Sequence, residues 1–148
     1  MNKTLLIGFK GKNNLSGVIV KELGRGYCLL TNSFSGVKKD IDAVDAVYDR
    51  VVLFGVDKNL TGMVRIERTA EKDGIRYSSV LDPDRIAEGF REAGLEAKIS
   101  ETPTAYLCNE AYWHLLRKFS GRAVLIHIPT MKNADEYFAA KVQRALSF

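Results

Sequence analysis

Apolar runs alternate with stretches of helical period along this chain. Residues 4–9 (Thr-Leu-Leu-Ile-Gly-Phe) form one continuous apolar run. Others are residues 27–31, after the turn signal Gly24-Arg25-Gly26, residues 51–55, and residues 122–128, closed by Pro129. Continuous rather than alternating apolar character predicts strands covered on both faces, as in a parallel sheet. Residues 63–70 instead set Met63, Arg65 and Glu67 against Val64, Ile66 and Arg68, which predicts a half-exposed strand.

Helices are predicted between these runs. Asp82-Pro83-Asp84 supplies an N-cap acid, a proline at the first helical position and a second acid in the first turn. Ile86, Phe90 and Ala93 form the apolar face of that helix, and Gly94 is its stop. A helix is expected over residues 105–119, ending at Ser120-Gly121. A weaker one is expected over 40–48, where Asp42 and Asp45 interrupt the face. A last one opens on a capping box at Asn133 to Glu136, with Phe138, Val142 and Ala145 on one side. Strand and helix alternating in this way predict an α/β layer fold with a largely parallel sheet. No internal repeat or linker interrupts the pattern, so one domain over residues 1–148 is expected. Sites in such sheets form beyond the carboxyl ends of the strands.

Composition narrows the classes. The chain has 148 residues, 46% of them hydrophobic, and a formal net charge of +4. That suffices for a core without disulfide staples. No apolar run approaches the ~20 residues of a membrane span. The start, Met1 to Phe9, is too short in its apolar part for a signal peptide. Two cysteines, Cys28 and Cys108, provide neither a disulfide scaffold nor a cysteine zinc cluster. A reducing cytoplasm is the expected location. The pI of about 9.1 invites a nucleic-acid reading, but the basic residues are dispersed and usually have an acid nearby. A mildly basic solvated surface is the better default, and an RNA binder is the third-ranked function.

Cys108 and His127 are the residues most suited to chemistry. Pro103-Thr104 suggests a helix start just before Cys108, where the macrodipole and unpaired backbone N–H groups favour thiolate over thiol. The plain alternative is a small buried residue on the inner helix face. His127 stands near the carboxyl end of the last apolar run, at the usual functional edge, and its plain alternative is a satisfied core histidine. His114, six residues beyond Cys108 on the same helix, lies about 120° away around the axis and cannot readily face it. A thiol–imidazole pair needs a third group to orient the ring, and residue types alone do not choose among the carboxylates. Cys28 is expected only to pack in its strand.

Two segments carry a family resemblance. Glu101-Thr102-Pro103-Thr104-Ala105-Tyr106-Leu107-Cys108-Asn109 and Ile126-His127-Ile128-Pro129 resemble the Cys-Asn helix start and the His-Ile/Val-Pro strand end of the pyroglutamyl peptidase I (pyrrolidone-carboxylate peptidase) family. Ile66-Glu67-Arg68-Thr69-Ala70 resembles the segment carrying that family's catalytic glutamate, and the order Glu, Cys, His is kept. The resemblance covers most of the chain. It implies a three-layer α/β/α sandwich and a cytoplasmic cysteine peptidase that removes an N-terminal pyroglutamyl residue from a small peptide. In it Cys108 is the nucleophile, His127 the acid–base and Glu67 its orienter. It further implies backbone oxyanion donors around Cys108, a helping arginine with Arg76 as counterpart, and no metal or cofactor. Family members are often tetramers, which makes a homo-oligomer a candidate state, and from composition no nucleic-acid or membrane partner is expected.

Some positions depart from the family. The chain is shorter, mainly between Glu67 and Cys108. Lys10-Gly11-Lys12-Asn13 replaces Pro-Phe-Gly-Gly, and Val56-Asp57-Lys58-Asn59-Leu60 replaces a Gln-Ala-Gly-Gly-Arg loop, so parts that grip the lactam ring are altered. Phe9, Thr31, Tyr106 and Leu107 remain as pocket lining. Another small cyclic or acyl amide is a close variant of the substrate. A catalytically silent domain binding a peptide or protein partner is the alternative from a different class.

Overall fold

A computed structural model describes residues 3–24 and 26–146. Met1, Asn2 and Arg25, on which parts of the expected N-terminal run and of the turn at 24–26 fall, lie outside the described residues. The elements run β1 (Thr4–Phe9), α1 (Leu15–Glu22), β2 (Tyr27–Leu30), α2 (Phe34–Asp42), β3 (Arg50–Val56), β4 (Met63–Glu67), β5 (Thr69–Lys72), β6 (Ile75–Ser78), α3 (Pro83–Glu92), β7 (Glu96–Ser100), α4 (Tyr106–Lys118), β8 (Ala123–Ile128) and α5 (Phe138–Ala145). A single 3-10 turn lies at Met131–Asn133.

Six strands form one sheet in the order β2-β1-β3-β8-β4-β7, and β5 and β6 make a separate hairpin. β2, β1, β3 and β8 are parallel; β4 runs antiparallel to β8 and parallel to β7. All six residues of β8 are buried, as expected for a run walled on both faces. Period-2 geometry sends alternate side chains to opposite layers. Leu6, Val52, Phe54, Ile66, Val124 and Ile126 join the residues of α1, α3 and α5 in one apolar cluster. Leu5, Ile7, Phe9, Leu53 and Leu125 join those of α2 and α4 in the other. Three layers result. Truncating a fully buried aromatic such as Phe90 or Phe119 costs about 3–5 kcal/mol.

Cap chemistry explains most helix limits. Asp82 accepts from the N–H groups of Asp84 and Arg85, with Pro83 at N1, and Gly94 leaves α3 with φ +94°. Ser120 and Gly121, both at positive φ, end α4. Two expected helices moved. α2 begins at Phe34 because the Ser33 side chain caps it, and ends at Asp42 instead of continuing to residue 48. α5 begins at Phe138 because Asn133 does not act as an N-cap: its amide donates to the Lys58 carbonyl, and Asp135 accepts from the Tyr137 N–H. The face Phe138, Val142, Ala145 is buried as predicted.

Residues 63–70 also differ from the single half-exposed strand expected. β4 stops at Glu67, the N–H of Arg68 bonds the Ser100 carbonyl, and β5 starts at Thr69. β4 lies between β8 and β7 as an interior strand, so Glu67 is buried and Arg65 only partly exposed. α1, β6 and β7 carry no strong pattern and were not expected. α1 depends on close approach: a Cβ on Gly8 would lie 2.3 Å from the Ser16 carbonyl oxygen.

Candidate active site

The site forms where three strands and one helix meet. The β3–β8 register pairs Gly55 with His127, and the antiparallel β8–β4 register pairs His127 with Arg65. Gly55, His127 and Arg65 are thus neighbours in one row across the sheet. Glu67, two residues beyond Arg65, projects from the same face of β4. α4 crosses that face and carries Cys108 in its first turn.

Glu67 is 1% exposed, and its Oε2 lies 2.9 Å from Nδ1 of His127, which is itself buried. Nδ1–H donating to that carboxylate leaves Nε2 as the basic ring atom. The opposite ring edge and the sulfur border the same glycine. A Cβ built on Gly55 would lie 2.7 Å from Cys108 Sγ and 3.3 Å from both Nε2 and Cδ2 of His127. Sulfur and imidazole therefore flank one point that only glycine leaves open.

The backbone on both sides is pinned. The Tyr112 hydroxyl donates to the Glu67 carbonyl at 2.7 Å. Asn109 clamps β5 to the helix start, accepting from the Glu71 N–H at 3.1 Å and donating to the Glu71 carbonyl at 2.7 Å. Tyr106 enters α4 at φ +63°, a left-handed conformation uncommon for a bulky residue. No side chain caps this helix at Ala105, so its first-turn N–H groups point outward without a side-chain acceptor.

Electrostatics at the sulfur differ from the expectation of a helix-activated thiolate. The Cys108 thiol is pushed up to about 11, first by burial, then by the charges of Glu67 and Asp57. Desolvation and two carboxylates favour the protonated form, so at neutral pH Cys108 rests as a thiol.

Two groups absent from the sequence-based list complete the cluster. Arg65 Nε donates to Glu67 Oε2 at 2.5 Å, and Arg65 Nη2 lies 2.9 Å from Asp57 Oδ2 and 3.3 Å from His127 Nδ1. Burial alone would lower the guanidinium pKa, but hydrogen bonds and charge from both carboxylates raise it further. Arg65 was legible in one respect, since i and i+2 share a strand face and place it beside Glu67. Asp57 carried no such signal, because a loop brings it there.

The remaining expected site residues are distributed as follows. Phe9 is buried at the end of β1, in the apolar cluster against which Leu107 and Cys108 pack. Thr31 follows β2; its N–H bonds Asp40, and its hydroxyl lies 3.4 Å from Lys10 Nζ. Tyr106 is 85% exposed. Arg76 stands on β6 with Nε 3.2 Å from Glu71, and the guanidinium touching Glu67 and His127 belongs to Arg65 instead. His114 bonds Glu110 at 2.8 Å, away from the sulfur as its spacing required. Cys28 is half-buried in β2. Among the described residues no group of three or more His, Cys, Asp or Glu is arranged to hold a metal ion, and no helix is long and apolar enough to cross a membrane.

This three-layer arrangement, with its mixed but mostly parallel sheet, is the fold of the pyroglutamyl peptidase I structures. The solved enzyme from Bacillus amyloliquefaciens matches with a TM-score of 0.78 at 21% identity, over 99% of this chain and 92% of that one. The pyrrolidone carboxyl peptidase of Thermococcus litoralis gives 0.77 at 20%, over 99% and 92%, and a mutant of the Pyrococcus furiosus enzyme gives 0.81 at 20%, over 97% and 94%. No family model matches the sequence, and no curated protein matches it.

Proposed function

We propose that the chain is a cysteine peptidase that hydrolyses an N-terminal pyroglutamyl, or similar small cyclic or acyl, amide. One observation carries this reading: Glu67 holds Nδ1 of His127 at 2.9 Å, while the other ring edge and the Cys108 sulfur flank the same gap above Gly55. The likeness in fold to peptidases of that specificity supports the reaction class.

The chemistry follows from the protonation states. As Cys108 Sγ bonds the substrate carbonyl carbon, its proton passes to His127 Nε2. Glu67 stabilises the imidazolium so formed and holds the ring in place. The first-turn N–H groups of α4 are the candidate donors to the oxyanion. Collapse breaks the C–N bond, and the leaving amine takes the proton from Nε2. Water then attacks the thioester, again giving its proton to His127, and the acid departs as the thiol reforms. Starting from a thiol raised to about 11 gives the imidazole a larger share of the barrier than in enzymes with a preformed thiolate.

Phe9 and Leu107 are assigned to the acyl pocket, with Thr31 and Tyr106 at its rim, and Arg76 remains a candidate for substrate contact on the hairpin. The test is hydrolysis of a pyroglutamyl fluorogenic amide by the parent chain, by Cys108→Ala and after thiol alkylation. Turnover abolished by both treatments is expected. A parent inert to this amide and to a panel of small acyl amides would leave the partner-binding alternative.

A further inference from the structure

The mechanism above leaves Arg65 and Asp57 without a task, although they make the densest ionic cluster beside the site. Arg65 is paired with two carboxylates, Nε with Glu67 at 2.5 Å and Nη2 with Asp57 at 2.9 Å, and Nη2 also lies 3.3 Å from His127 Nδ1. Glu67 Oε2 therefore accepts from Arg65 and His127 at once. An isolated carboxylate at 1% exposure would be costly, and a bound guanidinium offsets that cost. The same charge is paired with both of the carboxylates that raise the sulfur, Glu67 and Asp57.

We propose that Arg65, anchored by Asp57, is a positioning residue for the Cys108–His127–Glu67 set. It fixes Glu67 Oε2 on Nδ1 of His127 and compensates the negative charge facing the sulfur. The proposal rests on the peptidase reading for its catalytic meaning, but its electrostatic content stands apart from any substrate. The charged groups acting on the sulfur are Glu67 from β4 and Asp57 from the loop after β3, with His127 from β8 at its side and Arg65 between the two carboxylates. Other charges on α4 and the elements packed against it have different partners. Lys72 and His114 pair with Glu110, Arg76 with Glu71 and Lys38 with Asp42, and Asp40 accepts from the Thr31 N–H. Lys118 donates to the carbonyls of Ile41, Asp42 and Val44, and Arg117 lies over the Trp113 ring.

Opposite charges in one cluster give opposite signs on substitution, which simple loosening of the site does not. The experiment follows Cys108 alkylation by iodoacetamide against pH in a Cys28→Ser background, where Cys108 is the sole thiol. Arg65→Gln removes the cation and is expected to slow alkylation at a fixed mildly alkaline pH by about tenfold, moving the rise of the profile to higher pH. Asp57→Asn removes a carboxylate while Glu67 still holds the Arg65 guanidinium, and is expected to speed it severalfold. Arg65→Lys keeps the charge and is expected to restore the alkylation rate to within about threefold of the parent. Because Lys lacks the two-pronged grip, hydrolysis should remain reduced in this variant.

Arg65→Gln and Asp57→Asn shifting the profile the same way would overturn the proposal, as would a rate unchanged in Arg65→Gln or a Lys variant no faster than the Gln one. Should Arg65→Gln not fold, the Lys and Asp57→Asn variants carry the same test: a rate within threefold for the first and an increase for the second support it, and any other pair of results refutes it. A parent chain inert to every acyl amide would sink the peptidase reading and leave these alkylation rates to decide the role of Arg65 independently.

Discussion

Two glutamate–histidine pairs are buried around α4, and they look alike at close range. Glu67 lies 2.9 Å from His127 and is held by Arg65; Glu110 lies 2.8 Å from His114 and is held by Lys72. What surrounds the second ring edge separates them. His127 presents its far edge to Cys108 across a glycine, whereas His114 sets its ring edge-on against Trp113, 5.2 Å between centroids. Glu110 and His114 are four residues apart on one helix, so local geometry suffices to make that pair. Glu67 and His127 are 60 residues apart and meet only because β4 runs antiparallel beside β8. A carboxylate–imidazole hydrogen bond is thus a common structural device. Under the proposed function it serves catalysis only where the fold also sets a thiol on the far side of the ring.

The largest effects should separate the pairs directly. His127→Ala is expected to lower hydrolysis of the cleaved amide about 10³-fold or more, the usual weight of a positioned base acting with its nucleophile. His114→Ala should leave the rate within about threefold while lowering the melting temperature. Comparable activity losses in the two variants, measured on folded protein, would erase the distinction. Gly55→Ala comes next. Its Cβ would press on both sulfur and imidazole, displacing each from the other, and a loss of about 10²-fold in rate is expected. The equivalent intrusion has no counterpart at His114. A Gly55→Ala variant with full activity would mean that sulfur and ring do not meet in this gap.

How much of this could be read from the chain depends on the range of the interactions. The continuous apolar runs of β1, β3 and β8 declared a doubly covered sheet, because a run with no polar position has no solvent face to offer. α3 was legible to the residue, since Asp82, Pro83 and Gly94 state its limits chemically. α5 misled, because Asn133 and Glu136 have the spacing of a capping box while the Asn133 amide is drawn off to Lys58. Cys108 and His127 stood out by their places at a helix start and a strand end, whereas Glu67 was picked out only by resemblance, as no periodicity reports on contacts across 60 residues. Gly55 was visible as a glycine closing an apolar strand, but its partner was not. Asp57 shows the limit: only the tertiary fold brings that loop acid to Arg65.

The sulfur gives the Glu67–His127 site a stability signature of its own. Folding raises the Cys108 thiol from an ordinary value of 9.0 to about 11, so between those pH values the folded state keeps a proton that the unfolded chain has lost. Stability must therefore fall as the pH rises through that window, by up to about 2–3 kcal/mol from this group. Urea unfolding of the parent and of Cys108→Ser, compared from pH 8 to 11, should show the parent declining more steeply. Parallel curves would mean that the sulfur is not desolvated among carboxylates.

The structural pair should respond at the opposite end of the pH scale and more weakly. Burial opposes ionisation of Glu110, but hydrogen bonds from Lys72 and His114 outweigh it and hold the carboxyl below its ordinary 4.5. A carboxylate with a lowered folded-state pKa contributes stability that is present above the unfolded value and lost as pH falls through the folded one. Glu110→Gln removes that contribution, and the loss is expected to be about 1–2 kcal/mol at pH 7, kept small because Lys72 is one-third exposed. The parent and the variant should therefore converge as the pH is lowered past the carboxylate range. Hydrolysis at neutral pH should change little in the fraction that stays folded, since Glu110 reaches the sulfur through no contact of its own. A constant gap between the two unfolding curves down to low pH would show that packing, not charge, is what Glu110 contributes. The two glutamates would then differ in kind and not only in what lies beyond their histidines.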